Sequence, residues 1–170
     1  MKQITTLIIV FFSLFSYGQY NFKASNKDIT WMNIFTAETS LEEVFKFCKQ
    51  NIRHTSEPEI IDNAIYGTTE YSNVIEKSLG LVIAATTDVR YQYKITYNDG
   101  KYMVKIRNIE FAPVEVTIMG VTNTDNSALK ELALRNKDHT IRRNKPTQRL
   151  LERLNAGFTD LFSNLTVDKW

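Results

Sequence analysis

A chain of 170 residues is long enough to bury the core of one domain, and its 43% of hydrophobic residues excludes a disordered or low-complexity protein. The 21 Lys and Arg residues nearly balance the 19 Asp and Glu residues, so no strong net charge attracts nucleic acid or an anionic membrane. The single cysteine excludes an intramolecular disulfide and every multi-cysteine metal site.

Residues 1–18 have the pattern of a secretory signal peptide. Lys2 supplies the positive charge, Leu7 to Phe15 supply the apolar run, and Ser16-Tyr17-Gly18 places small residues before Gln19. The apolar run is much shorter than the ~20 residues that cross a hydrocarbon core. The sequence therefore predicts cleavage near Gly18/Gln19, no integral membrane anchor, and a protein that is periplasmic or secreted.

The first predicted helix covers residues 40–51. It follows a polar, irregular segment at 19–27 and a strand from Ile29 to Phe35. Ser40 and Glu43 have the spacing of a capping box, in which each side chain accepts a hydrogen bond from the other residue's amide. Apolar residues then recur at intervals of three and four, which predicts that one face of the helix packs in the core.

Cys48 lies on this apolar face. Reactive thiols need exposure and a nearby positive charge, and a residue within an apolar stripe has neither. The sequence therefore favours a buried structural thiol over a nucleophile.

The middle of the chain is predicted to form hairpins. Pro58 is expected to close the helical unit, and Glu59 to Glu70 is expected to form two short strands that turn at Asp62-Asn63. Asp99-Gly100 suits a two-residue turn whose central residues both have positive φ. This turn sets a register in which the facing pairs are Tyr97 with Tyr102, Ile95 with Val104, and Tyr93 with Ile106.

The second half adds one more strand and a long helix. Val114 to Ile118 continues the alternation, and residues 121–146 are predicted to be a polar, basic loop with a short helix possible at 127–134. An amphipathic helix at 147–163 is expected to pack on the sheet. Together these elements predict one α+β domain at 28–170, in which helices cover one face of an antiparallel sheet.

Two stretches carry a resemblance to a known family. They are TSLEEVFKFCKQN (Thr39 to Asn51) and YQYKITYNDGKYMVKIRNI (Tyr91 to Ile109). They resemble a family of exported Bacteroidota proteins, a domain of unknown function described as having a TATA-binding-protein-like (TBP-like) fold. The resemblance implies a curved antiparallel sheet with helices on one face. It implies no catalytic residue, and a fold of this name does not by itself imply DNA binding.

Candidates for catalysis are few. His54 and His139 are the two histidines of the chain, and neither lies in a metal, triad or phosphate-binding motif, so no catalytic residue, metal site or cofactor is predicted. One alternative keeps His54 as the base of a small hydrolase with Glu57 or Glu59. These carboxylates, with Asp62, are also close enough in sequence to bind a divalent cation, although acidic loops are usually only solvated.

Two groups of basic residues are candidates for binding. The denser group, here called the basic segment, comprises Arg135, Lys137, Arg142, Arg143, Lys145 and Arg149. It is suited to an anionic envelope ligand or an acidic protein, or else it is a solvated loop. It lacks the interleaved aromatic residues that bind single-stranded nucleic acid, and no nucleic-acid partner is predicted. The second group, on the wet face of the hairpin, comprises Arg90, Lys94, Lys105 and Arg107.

The function predicted from these patterns is a non-enzymatic binding or protein-interaction domain of the cell envelope. Its expected contact surface is the basic segment together with the exposed face of the hairpin. Two alternatives remain open, the small envelope hydrolase that uses His54 and a structural envelope component that self-associates. The tyrosines of the hairpin are expected to be core residues whose hydroxyls reach its rim.

Overall fold

The computed structural model describes residues 20–36, 39–75, 88–118, 121–125 and 127–163. The predicted signal peptide and its cleavage point lie outside these residues. The strands of the described part are β1 (Phe22–Ser25), β2 (Asp28–Thr36), β3 (His54–Ile61), β4 (Ala64–Thr69), β5 (Ser72–Asn73), β6 (Asp88–Asn98), β7 (Lys101–Phe111), β8 (Val114–Ile118) and β9 (Val121–Asp125). The helices are α1 (Leu41–Asn51), α2 (Leu129–Ala133) and α3 (Lys145–Ser163).

The main sheet is curved, has seven strands and is antiparallel throughout. Its order is β1-β2-β7-β6-β4-β3, and β5 pairs with β6 next to β4. Strands β8 and β9 form a separate two-stranded ribbon. The predicted α+β class, an antiparallel sheet with helices on one face, is confirmed.

Tight turns fix the register of the hairpins. Asp99 and Gly100 have φ values of 46° and 70°, and Asp62 and Asn63 have values of 49° and 58°, as a two-residue hairpin turn requires. The predicted pairs are confirmed, since Tyr97 faces Tyr102 and the next two pairs follow in the same register.

Two local predictions in the first half are wrong. The segment 19–27 is not irregular, because β1 lies within it and pairs with β2, and the side chain of Phe22 is fully buried. Pro58 does not close the helical unit, because it lies inside β3. Proline is tolerated there because β3 is the edge strand of the sheet and its pairing with β4 is interrupted by two register shifts.

Helix α1 begins as predicted. The Ser40 amide donates to the Glu43 carboxylate over 2.8 Å, and the Glu43 amide donates to the Ser40 hydroxyl over 3.2 Å. These hydrogen bonds lower the pKa of Glu43, with the bond from the Ser40 amide contributing most. Cys48 is fully buried on the inner face of this helix, and burial raises its pKa to about 12, so the thiol is unreactive at neutral pH.

Helix α3 forms the centre of the core. Phe158 packs against Trp31 and Tyr91 at ring-centroid distances of 5.4 and 5.1 Å. The Tyr102 hydroxyl donates to the carbonyl oxygen of Phe162 over 2.5 Å, which ties β7 to the last turn of the helix. The predicted apolar stripe is therefore confirmed over the described part of the helix.

Within the residues that the structure describes, no helix combines the length and apolarity needed to span a membrane.

The segment 121–146 is not simply a polar loop. It contains β9, the predicted short helix as α2, and buried side chains at Leu129, Ala133 and Leu134. Leu129 joins the main core because α2 packs against β7. The sequence is polar on average, but its few apolar residues lie on one face of a single helical turn, and composition alone does not reveal such a short element.

Candidate functional site

The basic segment spans the connection between α2 and α3 and the first turns of α3, in which Lys145 and Arg149 lie. Arg135, Lys137, Arg143, Lys145 and Arg149 are exposed. A bridge between Leu134 and Ile141 closes the loop, and Asp138 accepts hydrogen bonds from the hydroxyl and the amide of Thr140. These bonds, aided by the nearby charge of Arg135, lower the pKa of Asp138.

Arg142 differs from the other five cations. Its Nε donates to the carbonyl oxygen of Leu134 over 2.7 Å, and its Nη2 donates to that of Glu131 over 3.3 Å. The guanidinium therefore satisfies carbonyl groups that the end of α2 leaves without helical partners. Arg142 holds the loop in place, whereas its neighbours point their charges to solvent.

The N-terminus of α3 adds to the positive potential of this region. Asn144 caps the helix by accepting a hydrogen bond from the amide of Thr147 over 3.0 Å. No acidic residue lies in the first turn, and Arg143 and Lys145 flank the cap. Cations at a helix N-terminus oppose the helix dipole, so their arrangement here does not serve the stability of the helix.

The second basic group lies on the open face of the sheet, which is the face turned away from the helices. Lys94 on β6 is directly opposite Lys105 on β7, and on its other side it faces Tyr66 on β4. Glu59 on β3 faces Tyr66, and Met32 on β2 faces Lys105. One row of side chains therefore crosses five strands with two lysines at its middle.

A shallow trough of about 570 Å³ lies on this face. Four strands contribute to it, β3, β4, β6 and β7. Its lining residues are Ser56, Glu57, Glu59, Tyr66, Gly67, Thr68, Gln92, Tyr93, Lys94, Lys105 and Arg107. The basic segment contributes no residue to this lining, so the two basic groups form separate surfaces.

A β-bulge shapes one end of the trough. The pairing of β6 with β7 shifts between Arg90 and Gln92, and Asn108 adopts a positive φ of 51° on the opposite strand. The side-chain amide of Asn108 donates to the side-chain Oε1 of Gln92 over 2.8 Å. The extra residue leaves Arg107 and Asn108 both exposed. Bulges re-aim side chains in this way.

The charges of the open face are largely unpaired. Arg90 of the second basic group pairs with Glu110 over 2.5 Å, and Glu57 pairs with Lys49 over 2.5 Å. Lys94 lies over the ring of Tyr66, with its Nζ 5.0 Å from the ring centroid. Lys105 and Arg107 form no ion pair with any carboxylate among the described residues. Three cations therefore lie together on β6 and β7, and the two carboxylates of the trough, those of Glu57 and Glu59, lie across it on β3.

Exposed apolar side chains lie beside these cations. Met32 is 41% exposed and Ile34 is 60% exposed, although most large apolar residues of the described chain are buried. Ile34 is directly opposite Met103, one row along from the lysine pair. The open face is therefore both basic and apolar, which composition alone does not show.

His54 lies on the other side of the sheet, towards α1. Its Nε2 forms a hydrogen bond of 2.7 Å with the Tyr93 hydroxyl, and partial burial lowers its pKa although the charge of Glu57 acts in the opposite direction. Glu57 pairs with Lys49, and both Glu57 and Glu59 line the trough on the open face. No arrangement of His54 with either carboxylate as an acid–base pair is present in the described part.

The remaining candidates lie apart from the open face. His139 is exposed on the loop of the basic segment, and Asp62 is in the β3–β4 turn. Among the described residues, no group of three His, Cys, Asp or Glu side chains is arranged to hold a metal ion. Tyr91 is a core residue as predicted, but its hydroxyl is buried without a hydrogen-bond partner, so the prediction that the hydroxyl reaches the rim is wrong for this tyrosine.

The sheet edges bear on self-association. Strand β1 is four residues long, and β3 carries Pro58 and two register shifts. Short strands, proline and bulges are the features by which proteins block pairing at an edge. Neither edge is thus suited to extending the sheet into a second copy of the chain.

Comparison with known proteins shows the fold and not the function. No family model matches the sequence, and no curated protein matches it. A DUF4468 family protein from Bacteroides ovatus has a similar structure, with a TM-score of 0.50, 17% sequence identity, and coverage of 86% of this chain and 91% of that chain. A TBP-like protein from Parabacteroides distasonis gives a TM-score of 0.49 at 16% identity, covering 84% of this chain and 93% of that chain.

Both structures come from Bacteroidota, and one is described as TBP-like. The expected resemblance to a Bacteroidota domain of unknown function with an α+β fold is confirmed at the level of fold by the Bacteroides ovatus structure.

Proposed function

We propose that this protein is an exported, non-enzymatic binding domain of the cell envelope, which recognises an anionic ligand or an acidic protein. One observation carries the proposal: among the described residues, helices cover one face of the sheet and leave the other open, and a trough on the open face holds three cations on β6 and β7 with two carboxylates on β3. Lys94, Lys105 and Arg107 form no ion pair with the described residues, so their charges are available to an acidic partner.

The exposed cations of the basic segment support the same proposal from a second surface. Five of its six members are exposed, and Arg143 and Lys145 lie at the N-terminus of α3, where backbone amides also favour an anion. Arg142 is a positioning residue within this surface, since its guanidinium is used by carbonyl groups of the loop.

The hydrolase alternative has less support. A general base must reach the proton that it removes, and the Nε2 of His54 is already bonded to a buried tyrosine. Self-association through strand pairing is likewise opposed by both sheet edges.

Photo-cross-linking in the native envelope tests the proposal. A photoreactive residue replaces Lys105, Lys137 or Arg149 in turn, and Glu152, exposed on α3, serves as the matched control position. The proposal predicts a discrete adduct from at least one basic position and none from Glu152. Absence of an adduct from every basic position, or loss of a measured hydrolytic activity in the His54→Ala variant, would overturn it.

A further inference from the structure

The geometry points to the trough as a docking site for an acidic, partly apolar segment of a partner protein. This inference rests on the proposed function, because it names the surface and the class of partner. Carboxylates of the partner would contact Lys94, Lys105 and Arg107, and its apolar side chains would contact Met32 and Ile34.

Two lysines of neighbouring strands lie side by side in the trough. Lys94 and Lys105 are directly opposite each other on neighbouring strands, and like charges in that arrangement destabilise a sheet. The tyrosine beneath Lys94 offsets part of this repulsion, but Lys105 and Arg107 have no anionic partner among the described residues. The fold gains nothing from the arrangement, whereas an acidic ligand would relieve the repulsion.

Apolar side chains lie beside the lysine pair on the open face. Ile34 and Met103 face each other in the row next to the one that holds Met32 and Lys105. Side chains two residues apart on one strand point to the same face and are separated by about 7 Å. An extended segment with acidic and apolar residues therefore matches both rows at once. A small anion would leave the apolar row exposed.

Other classes of occupant fit the trough less well than an acidic protein segment does. A second copy docked face to face would bring two troughs of the same composition together, each with three cations and two carboxylates, and so would add no surplus of negative charge. A flat bilayer does not fit a trough that four strands line. Stacking of bases needs free aromatic faces, and the one aromatic ring on the open side of the trough, that of Tyr66, is covered by Lys94. An acidic protein segment meets none of these objections.

Fluorescence anisotropy tests the inference on the mature chain. The probe is a fluorescein-labelled peptide of Asp-Leu-Glu repeats, and the comparison peptides are built of Asp-Ser-Glu and Lys-Leu-Lys repeats. A double variant reverses the trough charges, Lys105→Glu with Arg107→Glu. The matched control reverses two exposed cations of the basic segment, Lys137→Glu with Arg149→Glu. Thermal unfolding confirms that both variants fold.

The inference predicts that wild type binds the Asp-Leu-Glu peptide, with weaker binding of the Asp-Ser-Glu peptide and none of the Lys-Leu-Lys peptide. The trough variant is expected to raise Kd by ~10-fold or more, whereas the control leaves it within about twofold. A loss confined to the control would overturn the inference but leave the proposed function intact at the basic segment.

Other results would also overturn the inference. If the wild-type protein binds none of the acidic peptides, the inference is overturned. The cross-linking experiment then tests the proposed function separately. Tighter binding of a single-stranded oligonucleotide or of anionic vesicles, lost in the trough variant, would replace the protein segment with that partner.

Discussion

The ring of Tyr93 lies against Gly67 on the neighbouring strand, in the space that a side chain at position 67 would occupy. The glycine thereby allows the Tyr93 hydroxyl to reach His54 on β3, which ties three strands together. The same glycine lies at the floor of the trough. Gly67 therefore contacts the core through the Tyr93 ring and also lines the trough on the open face.

Replacing Gly67 with alanine should therefore destabilise the fold. The added methyl group would overlap the Tyr93 ring, and overpacking of this kind costs about 1–3 kcal/mol. Urea unfolding measures the loss. Thr68→Ala, at the adjacent half-exposed position on the open face, is the control and should change the free energy of unfolding much less. Equal effects of the two variants would show that the ring does not lie where we describe it.

For Gly157→Ala, the sign of the change in stability distinguishes two opposing effects. Helix propensity alone predicts a gain of about 1 kcal/mol when alanine replaces glycine within α3. The added methyl group would, however, overlap the carbonyl oxygen of Val74, so we expect a net loss of stability. Thermal unfolding of wild type and variant distinguishes the two cases, and a higher Tm for the variant would refute the close approach of α3 to this residue.

Stability should depend on pH through His54. Burial lowers its pKa in the folded chain below its ordinary value of 6.5. The unfolded chain therefore binds more protons between the two values, and the free energy of unfolding rises with pH over that interval. The contribution is complete above about pH 7 and is lost as the pH falls through the lowered pKa. Denaturant unfolding between about pH 5 and about pH 7 should show a shallower slope for His54→Gln than for His139→Gln. Identical slopes would contradict a lowered pKa of His54 in the folded chain.

Arg142→Ala should loosen the loop between α2 and α3. The variant removes two hydrogen bonds to backbone carbonyls, which together contribute about 1–2 kcal/mol. Limited trypsin digestion should then cut faster after Arg135 and Lys137, whereas Arg143→Ala, which removes an exposed cation, should leave the rate unchanged. Faster cleavage in both variants would mean that Arg142 has no special structural role.

The sequence predicted those elements whose signals are local. The register of β6 and β7 follows from Asp99 and Gly100 because a two-residue turn fixes every pair behind it. Strand β1 was missed because a single buried residue, Phe22, is too short a pattern to recognise. Pro58 was misjudged because a proline ends a strand in the middle of a sheet but not at its edge, and sequence does not show which strand is at the edge.

The candidate site was only partly predictable for the same reason. Alternation along the hairpin identified Lys94, Lys105 and Arg107 as residues of the wet face. Tyr66 and Met32 lie in the same row through pairings with β4 and β2, which are distant in sequence. Strand order determines these neighbours, and no local pattern reports strand order. The basic segment was the more visible group because its charges are close in sequence.

The most direct test of the docking surface is an NMR titration of isotope-labelled residues 19–170 with the Asp-Leu-Glu peptide. We predict saturable shifts of the amide signals of residues 32–34, 92–94 and 105–107, with those of 143–149 unchanged. Shifts confined to 143–149, or no shifts at all, would contradict recognition through the open face of the sheet.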